Sequence, residues 1–269
     1  MATPEYLVGG HLREWRQRRR MSQLDLACEA GISSRHLSFV ETGRSRPSRD
    51  MILHLARQLD IPLRERNMLL TAAGYAAVFP ERPLSDPALE PARQAVELVI
   101  SGHDPYPALA VDRHWTMVSA NNAGMRLFDG VDPALLRPPA NVLRLYLHPQ
   151  GLSSRITNLA QWRQHLLGRL RRHLRIRKDT VLSALAEELS AYPAGDGADR
   201  ANGALNSDHA EFVVPIELST RAGTLSLFST TTLFGTPVDI TLSEIALECF
   251  YPADAASTEI LKRAATPSS

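Results

Sequence analysis

The sequence predicts two domains, an all-helical N-terminal domain and a C-terminal domain that mixes helices with strands (α+β). A length of 269 residues accommodates two domains of ordinary size. Before residue 75, short apolar stretches with helical spacing are separated by Gly31, Gly43 and Gly74, a pattern that predicts five helices. After residue 91, the pattern predicts two strands, then several helices, then three strands.

A proline-rich stretch marks the boundary between the predicted domains. Its prolines are Pro80, Pro83, Pro87 and Pro91. Because proline interrupts both helices and sheets, we predict a linker over residues 75–91, with the helical domain at 5–74 and the second domain at 92–265. The other expected elements of the second domain are a long helix at 156–177, strands at 211–218, 223–233 and 237–251, and a C-terminal helix at 253–265.

The composition is that of a core-forming protein, with 44% hydrophobic and 22% charged residues. No apolar run reaches the roughly 18 to 20 residues that span a bilayer. The first ten residues also lack the basic and apolar segments of a secretory signal. We therefore expect a cytoplasmic location.

Charge is distributed unevenly along the chain. The net charge is +1 overall, but the first 80 residues hold twelve arginines and eight acidic residues, a net charge of +4. The remainder is mildly acidic. A basic N-terminal part joined to a mildly acidic remainder is typical of a DNA-binding domain attached to another domain.

The segment from Ser22 to Arg44 has the pattern of two helices joined by a sharp turn. Ala27 is small where the helices would cross, Gly31 suits the turn, and Leu37 and Val40 would anchor the second helix. The segment resembles the XRE family of phage-repressor-like helix-turn-helix domains. That resemblance implies a lambda-repressor-like five-helix fold whose second motif helix enters the major groove of DNA.

The resemblance assigns DNA contacts to residues in and around this second helix. Arg35 would bind guanine through O6 and N7, the commonest specific contact. Phe39 has two interpretations, contact with a thymine methyl group or partial burial. Arg44 suits a phosphate contact, which positions the protein without specifying sequence. The full predicted set is Gln23, Ser33, Ser34, Arg35, His36, Ser38, Phe39, Arg44 and Arg46.

Arg16 and Glu41 match a pair that forms an internal salt bridge in such domains. The resemblance therefore implies that Arg16 is structural and does not contact DNA. It also implies a double-stranded DNA operator as partner and a homodimer as the binding form, because two recognition helices read two half-sites.

A second resemblance covers nearly the whole chain. It rests on residues 105–112, 115–121, 141–149 and 228–237, together with 37–48. These stretches resemble the MmyB-like regulators, which join an XRE domain to a PAS-like ligand-binding domain. The resemblance implies an antiparallel five-stranded sheet with helices on one side, and the order of elements predicted from the pattern agrees with it.

A PAS-like fold encloses a mostly apolar cavity with a few polar groups. The resemblance implies a small hydrophobic, fatty-acid-like effector. Arg144 stands in a run of Leu and Val, where it suits either the carboxylate of such an effector or a pair with an acidic neighbour. For each apolar candidate taken singly, plain core packing is the favoured interpretation. The predicted ligand-binding set is Trp115, Asn121, Asn141, Arg144, Trp162, Phe228 and Phe234.

No catalytic motif accompanies these features. The sequence has no Gly-x-Ser-x-Gly elbow, no His-Glu-x-x-His, no P-loop and no dinucleotide fingerprint. We therefore expect no enzyme activity, no catalytic residue, no metal and no cofactor. The leading hypothesis is a DNA-binding transcription regulator modulated by its effector. The alternatives are a regulator whose second domain only dimerises or binds a protein, and an enzyme with an appended DNA-binding module.

Overall fold

The computed structural model of the chain describes residues 4–176, 179–193, 214–234 and 239–265. The chain folds into two units. The helical unit comprises Met1–Asp86 with Gly235–Ser243, and the sheet unit comprises Pro87–Phe234 with Glu244–Ser269. Among the described residues, no helix combines the length and apolar character needed to cross a membrane.

The helical unit contains the five helices that the sequence predicts. They are α1 Pro4–Arg18, α2 Gln23–Glu29, α3 Ser34–Glu41, α4 Arg49–Gln58 and α5 Leu63–Ala72. Each supplies apolar side chains to one core, in which Leu12, Leu26, Leu37, Leu55 and Leu70 are fully buried. Burial of this apolar surface is the main stabilising term for helices as short as these.

Local capping residues set where these helices begin. The hydroxyls of Ser22, Ser33 and Ser48 each accept a backbone hydrogen bond from the first turn of α2, α3 and α4. Ser22 forms a full capping box, because Asp25 accepts in return from the Ser22 N–H. Gly31 adopts φ +61° in the turn between α2 and α3, a conformation that glycine tolerates best.

A short helix, α12 Ile240–Ser243, also belongs to the helical unit. The Ile240 N–H donates to the Pro80 carbonyl at 2.9 Å, and Thr241 Oγ1 donates to the Arg82 carbonyl at 2.6 Å. Arg82 also pairs with the buried Asp239 carboxylate at 3.2 Å. This helix therefore docks on the stretch that follows α5.

The strand predicted at 237–251 is wrong over residues 239–245, the described part of its first half. The Asp239 carboxylate accepts from the Thr241 N–H, a short-range bond that initiates a helical turn. The strand itself runs only over Ala246–Pro252. The alternating pattern of the segment did not reveal this turn, because its apolar residue Ile240 is buried through a helical contact.

The sheet unit is built on a five-stranded antiparallel sheet. Its strands are β1 Ala108–Val111, β2 Met117–Ala120, β3 Ile216–Thr220, β4 Gly223–Leu233 and β5 Ala246–Pro252. The strand order is β2-β1-β5-β4-β3, so the first and last strands in sequence pair at the centre of the sheet. The predicted fold class, helical unit followed by α+β domain with this sheet, is confirmed.

Helices of the sheet unit alternate with the strands along the chain. They are α6 Glu90–Ser101, α7 Asn122–Leu127, α8 Pro133–Leu136, α9 Val142–Leu147, α10 Leu159–Ile176, α11 Thr180–Ala191 and α13 Ala255–Ala265. Side chains of α9, α10 and α11 pack with Leu227 and Phe250 of the sheet in one hydrophobic core. This packing covers one sheet face with helices.

The helix predicted at 156–177 begins three residues later than expected. Ile156 instead pairs with Leu218 as an isolated bridge, and the Thr157 N–H donates to the Glu217 carbonyl at 2.9 Å. Pairing with β3, which lies about 60 positions later in the chain, therefore keeps Ile156 and Thr157 out of the helix. Residues 194–208 are rich in Gly, Ala, Asn and Asp, a composition that predicts a loop, and they lie outside the described residues.

Candidate functional site

The predicted recognition helix is α3, and its inner face is fixed to the helical unit. Leu37 and Val40 are fully buried, and Ser33 caps the helix by accepting from the His36 N–H at 3.1 Å. Gly9 of α1 lies so close that an added Cβ would stand 2.2 Å from the Val40 carbonyl oxygen. Close packing of α1 against α3 therefore requires glycine there.

The outer face of α3 carries the predicted base-reading side chains. Ser34 and Arg35 are exposed, whereas His36, Ser38 and Phe39 are half-buried. The Arg35 guanidinium lies over the Phe39 ring at 5.4 Å from its centroid. This cation–π contact holds the guanidinium beside the ring on the outer side of the helix.

A buried ion pair supports α3 from behind. Arg16 Nε and Nη2 donate to the two Glu41 oxygens at 2.6 and 2.8 Å, and the Glu41 side chain is 1% exposed. Hydrogen bonding to Glu41 raises the pKa of Arg16. Gln23 Nε2 also donates to Glu41, at 2.8 Å. Arg16 is thus an internal residue, and Gln23, a predicted DNA contact, is oriented by the same carboxylate.

The two arginines after α3 differ in their surroundings. The Arg44 guanidinium is exposed and forms no ion pair with any described residue. Arg46 donates to the Ala73 carbonyl at 3.0 Å and stacks on Tyr75 at 5.6 Å. Arg46 therefore stabilises the end of α5 through a hydrogen bond, whereas the Arg44 guanidinium is available for a contact with another molecule.

In the sheet unit, Asn121 has no polar atom left for a ligand. Its Oδ1 accepts from the N–H groups of Ala108 and Gly124, and its Nδ2 donates to the carbonyls of Ile100 and Tyr106. An amide side chain offers two donors and one acceptor oxygen, so these four bonds occupy it. Asn121 is a structural junction of β1, α6 and α7.

Asn141 and Arg144 are similarly engaged. Asn141 caps α9 and donates to the His114 carbonyl at 2.8 Å. Arg144 forms a bidentate pair with Glu188 at 2.8 and 2.7 Å, which is the second of its two predicted arrangements. Arg144 lowers the pKa of Glu188, which also accepts a hydrogen bond from Tyr192.

The aromatic candidates do not share one surface. Trp162 is buried in the core between the sheet and α10, stacked on His165, and Trp115 lies 4.7 Å beneath the Arg169 guanidinium. Phe228 points to the opposite sheet face from the core residue Leu227, because neighbouring strand residues alternate. Phe234, at the end of β4, is half-buried.

A buried polar cluster near Trp162 was not predicted from the sequence. Glu248 of β5 is 3% exposed and accepts from Arg169 at 2.8 Å and from Thr231 at 2.7 Å. The Tyr146 hydroxyl and Trp162 Nε1 are buried without a hydrogen-bond partner among the described residues. Burial raises the pKa of Tyr146, and the Glu248 charge raises it further. The cluster joins residues far apart in sequence, which hides it from pattern analysis.

The sheet unit also contains an open groove of about 1200 Å³. Its walls come from α7, the β3–β4 hairpin and α13. Leucines of the core form its floor, and arginines lie around it. None of the predicted ligand-binding residues lines this groove. Among the described residues no group of three or more His, Cys, Asp or Glu is arranged to hold a metal ion.

Two known protein families match separate parts of the chain. The family described as MmyB-like transcription regulator ligand binding domain matches residues 92–264, and a helix-turn-helix family matches residues 12–66. No curated protein matches the chain. A solved structure of an RNA-binding Light-Oxygen-Voltage receptor is 14% identical, with a TM-score of 0.25. The match covers 98% of this chain and 64% of that one.

Proposed function

The chain belongs to the MmyB-like transcription regulators, and we propose that α3 of its helical unit reads an operator whose occupancy a hydrophobic effector controls. That the protein is a DNA-binding transcription regulator follows from its two matched families.

The observation that carries the DNA-reading part is the solvent-facing side of α3. Arg35 is exposed at the first turn, where a recognition helix meets base edges, and its fork of N–H groups matches guanine O6 and N7. Ser33 and Ser34 lie beside it at the helix start and suit phosphate oxygens. His36 and Ser38 complete the solvent-facing side of α3, and the Phe39 ring contacts the Arg35 guanidinium.

Arg44 supplies a sequence-independent contact in this proposal. Its guanidinium is exposed just after α3 and unpaired with any described residue, so it is available to a phosphate. Gln23 contributes from the start of α2. Arg46 contributes less to DNA binding, because its guanidinium already donates a hydrogen bond to the Ala73 carbonyl.

We further propose that the protein binds DNA as a homodimer and takes a small fatty-acid-like effector in the sheet unit. Two recognition helices about 34 Å apart would read half-sites one helical turn from each other. An effector that binds better to one arrangement of the dimer would shift the population toward it and change operator affinity.

Helix α12 offers a physical link between the effector and DNA reading. In sequence it lies between β4 and β5, the longest strand pair of the sheet, yet it is held in the helical unit by Pro80 and Arg82. Because α12 follows β4 and precedes β5 in the chain, we propose that effector binding acts on DNA reading through this helix.

The effector part is tested on protein purified from its own cells. Native mass spectrometry should show a bound small molecule that organic extraction removes. Affinity for a duplex selected from a random library should differ between the loaded and extracted forms by about 5-fold or more. Protein without bound mass, whose DNA affinity no acyl compound alters, would instead support a sheet unit that serves dimerisation or protein binding.

A further inference from the structure

The groove of the sheet unit has an apolar floor that continues into the hydrophobic core. Leu127, Leu218, Leu225 and Leu261 line it and belong to the same core as Trp162. Ile260 of α13 is partly buried against this core. A floor of this kind favours an acyl chain, because binding there removes its apolar surface from water.

Four arginines from four separate segments converge around this floor. They are Arg126 on α7, Arg155 before α10, Arg221 in the β3–β4 turn and Arg263 on α13. The acidic residues of the lining are two, Asp129 and Glu259. The groove is therefore positively charged around an apolar base.

Three of these guanidinium groups have no partner of their own. Those of Arg126, Arg221 and Arg263 form no ion pair or hydrogen bond with any described residue. Arg155 differs, because it donates to the Asp129 carbonyl at 2.6 Å and is thereby held in place. The rim thus presents one fixed and three unpaired cations to whatever enters the groove.

Charge and size together define the occupant. A single carboxylate would occupy one guanidinium fork, whereas four arginines suit several phosphate oxygens, which arginine binds in a bidentate manner. A volume of about 1200 Å³ also exceeds the roughly 300–1,000 Å³ of ordinary small-molecule pockets. The occupant therefore has an apolar chain and a large head group with several negative charges.

We propose that this groove binds acyl thioesters of a phosphorylated carrier, of the acyl-coenzyme A type. The acyl chain lies over the leucine floor, and the phosphates lie against the arginine rim. This inference rests on the proposed effector control and narrows it: the regulator senses the carrier-bound form of an acyl chain in preference to the free acid.

The test is calorimetric titration of the full chain with palmitoyl-coenzyme A, coenzyme A and palmitate below their micelle-forming concentrations. Palmitoyl-coenzyme A should bind about 10-fold or more tightly than either fragment, because it alone engages both floor and rim. The double variant Arg221→Glu/Arg263→Glu should lose at least about 10-fold in affinity for it. The matched control Arg137→Glu/Arg171→Glu, at exposed positions outside the groove, should lose little.

Two outcomes would overturn the groove assignment while leaving effector control intact. One is equal affinity for palmitate and palmitoyl-coenzyme A with no effect of the rim variant. The other is loss of binding in Tyr146→Phe with none in the rim variant, which would place the ligand at the buried polar cluster. If no acyl compound binds and none alters DNA affinity, the groove assignment and the proposed effector control both fail.

Discussion

Truncating Glu41 to alanine removes the acceptor of three hydrogen bonds inside the helical unit. Two come from the Arg16 guanidinium, at 2.6 and 2.8 Å, and one from the Gln23 amide, at 2.8 Å. The variant leaves the Arg16 charge buried with one remaining acceptor, the Met21 carbonyl at 2.8 Å.

The expected cost follows from that geometry. Removing one partner of a buried, hydrogen-bonded ion pair destabilises a protein by about 3–5 kcal/mol, because the surviving charge stays desolvated. The Glu41 side chain is 1% exposed and Arg16 is 9% exposed, so solvent screens the pair little. Replacing both residues, as Arg16→Met/Glu41→Leu, removes the charge along with its partner and should cost far less.

Native-state hydrogen exchange of the full chain reports this cost separately for each unit. In Glu41→Ala, protection of the slowest amides of α1–α5 should fall by about two to four orders of magnitude, at about 1.4 kcal/mol per tenfold. The sheet unit serves as internal reference. A fall of less than tenfold, or an equal fall in the double variant, would refute the reasoning.

Three further changes give separate outcomes. Arg44→Ala should weaken binding to all duplexes alike and reduce the slope of log affinity against log salt by about one, measured by fluorescence anisotropy over a salt series. Asp239→Ala, which removes the ion pair with Arg82 and the bond to the Thr241 N–H at the start of α12, should leave DNA affinity in place but reduce its response to effector, measured in the same assay with and without effector. Glu188→Gln should make the sheet unit less sensitive to acid. Because Arg144 lowers the pKa of Glu188, its stabilising contribution is present above the ordinary glutamate pKa of about 4.3 and lost as pH falls through the lowered value. Thermal unfolding from about pH 6 to 3, with exposed Glu187→Gln as control, measures this.

Local signals made most of the fold predictable. Ser22, Ser33 and Gly31 act within a few residues of themselves, as caps and as a turn, so the sequence alone located α2 and α3. Helix α12 was missed because its partners, Pro80 and Arg82, lie about 160 positions earlier in the chain.

The same distinction separates the two candidate sites. The candidate DNA-reading residues lie on one short helix, α3, and its exposed side chains can be assigned from the helical periodicity of the sequence. Arg144 and Glu188 are 44 residues apart, so the sequence left two interpretations open for Arg144. The sequence predicts Asn121 as a ligand-binding residue. Its hydrogen bond to the Ile100 carbonyl cannot be recognised from the sequence, because Ile100 lies 21 positions earlier in the chain. The groove draws on four segments, and only folding brings them together.

The central claim is that Arg35 reads a base, and the most direct test is to compare the duplexes that each variant selects. Duplexes should be selected from a random library by the wild-type chain, by Arg35→Ala and by Arg57→Ala, a control at an exposed position on α4. We predict that the wild type and Arg57→Ala enrich the same paired half-sites. Arg35→Ala should lose discrimination at one guanine per half-site, at a cost of about 1–3 kcal/mol. Identical enrichment by Arg35→Ala, or no enrichment by the wild type, would contradict the account.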